Sequence, residues 1–324
     1  MTTLHRALRT RVHNRTWSLG PIRAPTGVDA ASPAAVPAID FGKHLLRQQL
    51  ARWQELEPAL RRGRDPEALH QWRVTSRHLI ATLRVLEVAG LTGVVGLRHR
   101  VQVLLRHTGP LRDLDVQCAQ LMQCNRGLAA GGLGGVLRGL RALRKLRQQA
   151  LVSRLAQPRT RRLRVALHSL ELRPAPGRQT SMALVADQVL RQRYRVVKHR
   201  ARHALAERTV EQCHQLRLAA KKLRYVAVAC APLYGEVMHS FLRRLERLQS
   251  VLGRLNDAQH TIVNLETLLR HNRHLPGRVQ RAVQADLAAQ RDQLEAAHTD
   301  LDAVWHRVHG RPWKHLKRAL KASR

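Results

Sequence analysis

The sequence predicts an all-α protein built from two related halves. Two observations carry this prediction. Apolar residues recur at three- and four-residue spacing from Phe41 onward, and a histidine-led basic phrase occurs twice, beginning at His70 and at His214. The first pattern places apolar side chains on one face of a helix, and the alternation typical of strands is nearly absent. The second pattern indicates an internal repeat.

Residues 1–38 are predicted to form a separate, flexible arm. A short basic stretch is followed, between Pro21 and Pro37, by a segment rich in Pro, Ala, Ser and Thr. Such a composition buries too little apolar surface to form a core. The helical domain is therefore predicted over residues 39–324.

Glycine and proline divide this domain into helices, because neither residue is favoured in a helix interior. A glycine-containing turn is also predicted directly before Asp113 and before Asp257. The other breaks are predicted at residues 62–66, 109–110, 131–132, 174–177 and 275–277.

The repeat extends well beyond the histidine phrase. His70 and His214 are 144 positions apart, and the same spacing relates three further pairs: Gly109–Asp113 with Gly253–Asp257, Arg47 with Arg191, and Arg100 with Arg244. One constant spacing indicates two homologous helical halves, about 41–173 and 178–324. Two long copies are too few for a stacked solenoid, so a duplicated bundle is predicted.

The charge balance points to a polyanionic partner. The 324-residue chain has 58 Lys and Arg against 22 Asp and Glu, a formal net charge of +36. Nucleic acid, an anionic membrane surface and polyphosphate are the candidate partners. Aromatic residues make up only 3% of the chain, which argues against stacking platforms for single-stranded nucleic acid.

Cysteine usage and hydropathy indicate a cytoplasmic protein. The 4 cysteines form no C-x-x-C pair, so neither a zinc ribbon nor a disulfide framework is predicted. No run of 18 apolar residues exists, and the basic N-terminus lacks the apolar centre of a secretory signal. No membrane partner is expected.

Each half has a helix with an apolar strip and a cationic strip. On a helix, the cationic residues of the first phrase fall within an arc of about 60° and those of the second within about 80°. No Asp or Glu belongs to either strip. The strips comprise His70, Arg73, Arg77 and Arg84, and His214, Arg217, Lys221 and Arg224, opposite Leu79, Leu83 and Leu86, and Leu216, Leu223 and Val226.

A cationic strip is well suited to phosphate. Like charges at i,i+4 cost about 0.2–0.5 kcal/mol, and bound phosphates would remove that cost. Arginine can clamp two oxygens, lysine adds a point charge, and histidine makes binding sensitive to pH. A solvated surface is the alternative interpretation. Repetition at matched positions favours binding, because solvated surface is the least constrained part of a repeat.

Catalytic and metal sites are not predicted. Asp113 and Asp115 are paired, but the second copy keeps only Asp257, so helix capping or orientation of an arginine is favoured over acid–base chemistry. The pairs His199–His203 and His271–His274 have metal-ligand spacing, yet basic neighbours surround them. No phosphate-binding glycine loop occurs, and no cofactor is expected.

The two basic phrases resemble the signature of the CHAD domain, the conserved histidine α-helical domain, which reads His-x-x-Arg-Val-x-x-Arg-Arg-Leu-Arg. The phrases 111–115 and 252–257 resemble other recurring motifs of that family, and the resemblance covers about residues 41–320. His78 and Ile80 stand where the family has arginine. The first half is therefore expected to hold phosphate less strongly than the second.

This resemblance implies two pseudo-symmetric four-helix bundles enclosing a basic central channel, and non-catalytic binding of inorganic polyphosphate in the cytoplasm and on polyphosphate granules. The helices at 68–88 and 211–229 are expected to face each other across the pseudo-twofold axis. A non-specific nucleic-acid-associated protein is the alternative, and a polyphosphate hydrolase is a weaker third. The predicted polyphosphate-binding residues are His70, Arg73, Arg77, Arg84, Arg100, His214, Arg217, Lys221, Lys222, Arg224 and Arg244.

Overall fold

The structure, a computed structural model, describes residues 36–126, 134–173, 181–271 and 277–322. These ranges contain ten helices and no β-strand, so the predicted all-α class is confirmed. The predicted arm lies outside the described residues except for residues 36–38. The predicted breaks at 131–132 and 174–177, and residues 275–276 of the break at 275–277, also lie outside them. None of the helices in the described ranges is both long and apolar enough to cross a membrane.

The helices belong to two compact units. Among the described residues, unit 1 covers 37–173, and unit 2 covers 181–322 together with Val36. Unit 1 contains α1 (Ala38–Arg62), α2 (Pro66–Val88), α3 (Val94–His107), α4 (Gly109–Arg126), α5 (Gly134–Ala156) and α6 (Pro158–His168). Unit 2 contains α7 (Met182–Glu207), α8 (Val210–His271), α9 (Gly277–His309) and α10 (Arg311–Ala322).

The predicted break at residues 62–66 separates α1 from α2. Gly63 adopts a left-handed conformation with φ 64°, and its N–H donates to the carbonyl of Ala59. The Asp65 carboxylate then caps α2 by accepting from the backbone N–H of Glu67 at 2.8 Å, and Pro66 opens the helix. This is a typical connection between two helices. Glycine ends the first helix, an acidic residue caps the second, and proline occupies the first turn of the second.

The core of unit 1 forms where α1 packs on α2. The buried rings of Trp53 and Trp72 stack with centroids 5.1 Å apart, and the Trp53 indole N–H donates to Ser76 Oγ at 2.9 Å. At Gly42 a Cβ atom would lie 2.1 Å from Leu86 Cδ2, so a larger residue there would force the Leu86 side chain to move. This packing fixes which face of α2 is buried and which is left for a ligand.

The longest helix, α8, is bent at one residue. Gly235 has non-helical angles, φ 49° and ψ −129°, and Pro232 lies three residues earlier, where it removes a helix hydrogen bond. The turn predicted directly before Asp257 is wrong, because Gly253 lies inside the second arm of α8. Gly253 is buried there, which indicates that its small size serves helix packing and not a turn.

An aromatic cluster centred on Tyr194 holds unit 2 together. The Tyr194 ring stacks on Trp313 with a centroid distance of 3.6 Å, and also contacts Phe241 and Trp305. Its hydroxyl shares a hydrogen bond of 2.5 Å with His309 Nδ1, and burial raises the pKa of the Tyr194 phenol. The cluster therefore joins α7 to α8, α9 and α10.

Helix boundaries recur at the spacing of the sequence motifs. The helices α1 and α7 begin 144 positions apart, as do α2 and α8. The first turns also match in detail: the Gln71 amide donates to Glu67 at 2.5 Å, and the Gln215 amide donates to Glu211 at 2.5 Å. These features support the interpretation of the two units as copies, which remains our inference.

Candidate anion-binding site

The cationic residues of unit 1 begin near the N-terminal end of α2. His70, Arg73 and Arg77, called here the unit-1 face, are half-buried. The side chains opposite them, predicted from the sequence to be apolar and inward-facing, are indeed buried: Leu79, Leu83 and Leu86.

Arg73 is held in place by the end of α3. Its Nη1 donates to the carbonyl of Leu105 at 3.2 Å and also to the hydroxyl of the buried Thr108. The carbonyl end of a helix carries partial negative charge, which stabilises a guanidinium there. The Arg73 side chain is therefore positioned by in-chain acceptors, at the corner where α3 gives way to α4.

His70 lies in a cationic environment. Burial lowers its pKa below the ordinary value, and the charges of Arg112, Arg77 and Arg73 lower it further, while Glu67 opposes them. The lowered pKa makes the neutral imidazole the dominant form at neutral pH. A phosphate placed beside His70 would reverse this effect, because negative charge stabilises the imidazolium.

Arg84 is engaged by a carboxylate. Its Nη1 lies 2.7 Å from Glu87, and Arg98 of α3 binds the other oxygen of Glu87 at 2.9 Å. The strip itself contains no carboxylate, but Glu87 reaches Arg84 from one turn further along the same helix. Arg100, the other predicted residue of unit 1, is exposed on α3.

The cationic residues of unit 2 occupy the same turns of α8. His214, Arg217 and Lys221, called here the unit-2 face, are half-buried, while Lys222 is exposed and Arg244 is half-buried. The side chains predicted to lie opposite are buried: Leu216, Leu223 and Val226. The two faces thus share their position relative to a helix start and to the adjoining core.

Arg224 is a buried arginine. It is only 8% exposed, and its Nη2 lies 2.6 Å from Glu246 of the second arm of α8. This ion pair links the two arms across the bend at Gly235. The side chain of Arg224 is therefore placed by intramolecular packing as well as by charge, which its position in the sequence does not indicate.

The sequence did not predict a partly buried ion pair in unit 1. The Asp115 side chain is 1% exposed and accepts from Arg144 Nε of α5 at 2.6 Å, while Arg144 Nη1 donates to the carbonyl of Gly63 at 2.9 Å. Burial raises the pKa of Asp115 and the two arginines Arg144 and Arg112 oppose that rise. The neighbouring Asp113 is exposed, so the two carboxylates do not share a site, and Asp115 has the arginine-orienting role.

The histidine pair of α7 is also involved in local contacts. The rings of His199 and His203 meet edge to face with centroids 4.7 Å apart, and His203 Nδ1 lies 3.0 Å from Glu207. The described ranges contain no group of three or more His, Cys, Asp or Glu placed to hold a metal ion. The pair His271–His274 lies outside the residues whose side chains are described.

Fold and site together define an all-α protein with a half-buried cationic helix face in each of two compact units. Residues 44–266 match the CHAD domain family, which is more than half of the chain. The chain therefore belongs to the CHAD domain family. Every predicted binding residue lies inside the matched range.

Two solved structures have a similar fold. The crystal structure of the CHAD domain from the plant Ricinus communis is 24% identical, with a TM-score of 0.61, and the alignment covers 91% of this chain and 98% of that one. PptA from Streptomyces chartreusis is 20% identical, with a TM-score of 0.53, and the alignment covers 83% of this chain and 99% of that one. No curated protein sequence matches the chain.

Proposed function

We propose that this protein binds inorganic polyphosphate, without catalysis, through the unit-1 and unit-2 faces. The observation that carries the proposal is the recurrence of a histidine and two cations at equivalent turns of α2 and α8, each time half-buried near a helix start. The CHAD family is associated with polyphosphate binding. A net charge of +36 supplies the long-range attraction for such a polyanion.

Half-burial makes these cations better ligands than ordinary surface charges. Arg77 and Lys221 each follow another cation of the same face by four positions, so like charges repel along each face and a bound anion relieves that repulsion. A partly buried guanidinium or ammonium is screened less by solvent, and its stem has already lost conformational freedom. Each phosphate therefore gains more than it would on a mobile surface side chain.

The predicted residues divide into two roles in this proposal. His70, Arg73, Arg77, His214, Arg217 and Lys221 contact phosphate directly, and the exposed Arg100 and Lys222 and the half-buried Arg244 extend the cationic surface. Arg84 and Arg224, which the structure places against Glu87 and Glu246, position their neighbours and contribute charge at longer range. The expectation that both faces line one shared channel remains a prediction.

The test is a charge-matched pair of double variants. Arg217→Ala with Lys221→Ala removes two cations of the unit-2 face, and Lys317→Ala with Arg318→Ala removes two exposed cations of α10. We expect the first variant to lose retention of long-chain polyphosphate on a filter and the second to keep it, with helix content by circular dichroism equal in both. Unchanged binding by the unit-2 variant would rule out this site.

Competition separates polyphosphate from nucleic acid. The exposed basic side chains of α10, including Lys314, Lys317 and Arg318, suit non-specific contact with a phosphate backbone. A polyphosphate protein keeps its ligand against excess duplex DNA, whereas a nucleic-acid protein releases it. Co-localisation of the tagged protein with polyphosphate granules in the cytoplasm tests the predicted location.

A further inference from the structure

The exposed side of α5 carries apolar side chains in a regular pattern. Leu146 is 62% exposed, Val136 53% and Leu143 41%. The small residues Gly139 and Ala150 are exposed as well. Along the chain these five positions alternate in steps of three and four residues, so on a helix they share an arc of about 80°. We call these five residues the α5 stripe.

The α5 stripe is not the side by which α5 packs into unit 1. The packed side carries the buried Leu151 and Leu155 and Gln148, whose amide donates to the carbonyl of Leu60 in α1 at 2.7 Å. On the helix that side lies about 130° from the stripe. A Cβ atom built at Gly139 would meet no atom of the described residues within 4 Å. The space above the middle of the stripe is therefore open.

The spacing of the stripe fits one partner helix. Alternating steps of three and four residues are the a and d positions of a heptad, and a stripe limited to them is the narrow seam at which two helices interlock. The small residues between the larger ones let a second backbone approach closely. A helix that lies on a lipid surface has a broader apolar face, commonly with aromatic residues, and the sequence of α5 contains no aromatic residue. A helix is therefore favoured over a membrane.

The charges around the stripe select an acidic partner. Arg138 and Lys145 lie beyond one border of the stripe and Arg147 lies at the other, and all three are exposed. Residues 134–168, which span α5 and α6, contain no Asp or Glu, whereas α9 carries charges of both signs. Opposite charges beside an apolar seam determine which helices pair. A second copy of this chain would bring cations against cations, so self-pairing through the stripe is disfavoured.

We propose that the α5 stripe is a docking surface for an amphipathic helix of a partner protein, with aliphatic residues at its a and d positions and Asp or Glu beside them. The residues of the stripe belong to neither cationic face, so this inference does not rest on polyphosphate binding. It gives the protein a second kind of partner, held by apolar contact as well as by charge.

The experiment uses labelled helical peptides of about three heptads. The test peptide has Leu at a and d and Glu at e and g. One control peptide has Lys in place of Glu, and a second has the composition of the test peptide in scrambled order. Fluorescence anisotropy with the full-length protein measures each affinity. We expect the test peptide to bind about tenfold or more tightly than either control, because only it combines the seam with acidic borders.

A matched pair of double variants locates the contact. Leu143→Gln with Leu146→Gln removes the two largest side chains of the stripe. Val196→Gln with Val263→Gln removes exposed apolar side chains of α7 and α8. We expect the stripe variant to bind the test peptide about tenfold or more weakly, since two buried side chains are lost, and the control to bind it unchanged. All four residues are exposed, so helix content by circular dichroism is expected to be equal.

Each other outcome contradicts the inference. Equal binding of the test and scrambled peptides would show attraction by charge alone, and equal loss in both double variants would remove the contact from the stripe. Sedimentation that shows a dimer dissolved by the stripe variant would make the stripe a self-contact. Binding to phosphatidylserine-containing vesicles that the stripe variant loses, without binding of the test peptide, would assign the stripe to lipid. Retention of polyphosphate by the stripe variant is expected to equal that of the wild type, so the two proposals are tested separately.

Discussion

The two units carry the same basic phrase at the same turns of a helix, but the arginines of that phrase have different intramolecular partners. In unit 1, Arg73 is bonded to the end of α3 and Arg84 belongs to a network with Glu87 and Arg98. In unit 2, Arg224 is tied to Glu246, and a pocket lies beside His214. Sequence similarity in a binding phrase therefore does not imply equal availability of its side chains, because neighbouring helices decide how many donors face the ligand.

The largest expected difference between the units concerns stability. Asp115→Ala leaves the half-buried Arg144 without its carboxylate partner and is expected to cost about 1.5–3 kcal/mol of unfolding free energy, the range for a hydrogen bond to a charged group. Gln259→Ala changes the counterpart of Asp115 at the 144-residue spacing, removes no ion pair and is expected to cost about 0.5 kcal/mol or less. Chemical denaturation of both variants measures the difference.

Asp113→Ala serves as the control for this comparison, because Asp113 is exposed on the same helix as Asp115. An equal loss of stability in Asp113→Ala and Asp115→Ala would show that the buried ion pair is not what holds α4 to α5.

The next difference concerns affinity for polyphosphate. Removing Arg217 and Lys221 is expected to weaken binding more than removing Arg73 and Arg77, since unit 1 has His78 and Ile80 where the family signature has arginine. In each double variant the slope of log affinity against log salt should fall in magnitude by about two, one for each lost phosphate contact. Titrations at several salt concentrations measure both quantities, and a larger loss in unit 1 would reverse the proposed ranking.

The smallest expected effect is the contribution of His70 to the pH dependence of binding. The pKa of His70 is lowered in the free protein by burial and by Arg112, Arg77 and Arg73, against Glu67. Bound phosphate raises this pKa, so binding takes up a proton. Affinity should therefore be higher at about pH 6 than at about pH 8. The gain is lost as the pH rises through the pKa of His70 in the bound state.

His70→Gln should make this pH profile shallower, whereas His260→Gln, which replaces an exposed histidine of α8, should leave it unchanged. An identical profile in His70→Gln and the wild type would remove His70 from the site.

The sequence predicted the helices and the helix faces, because both depend on local periodicity and on glycine and proline. The burial of Leu79, Leu83, Leu216 and Leu223 follows directly from their spacing. The turn before Asp257 was predicted wrongly, because glycine favours a turn only when packing does not favour a helix, and Gly253 is buried.

The sequence did not predict ion pairs between residues that are far apart along the chain. The Asp115–Arg144 pair spans 29 positions and the Arg224–Glu246 pair spans 22, and no local pattern indicates which arginine of so basic a chain reaches which carboxylate. The side of α5 that stays exposed is likewise defined only once neighbouring helices are in place. The α5 stripe could therefore be found only in the structure.

The most direct test of the central claim is an experimental structure of the protein with a bound polyphosphate chain. We expect phosphate oxygens within about 2.7–3.2 Å of the Arg77 guanidinium in unit 1 and the Lys221 ammonium in unit 2, the distances of charge-assisted hydrogen bonds. Phosphates bound only along α10, with both faces unoccupied, would contradict it.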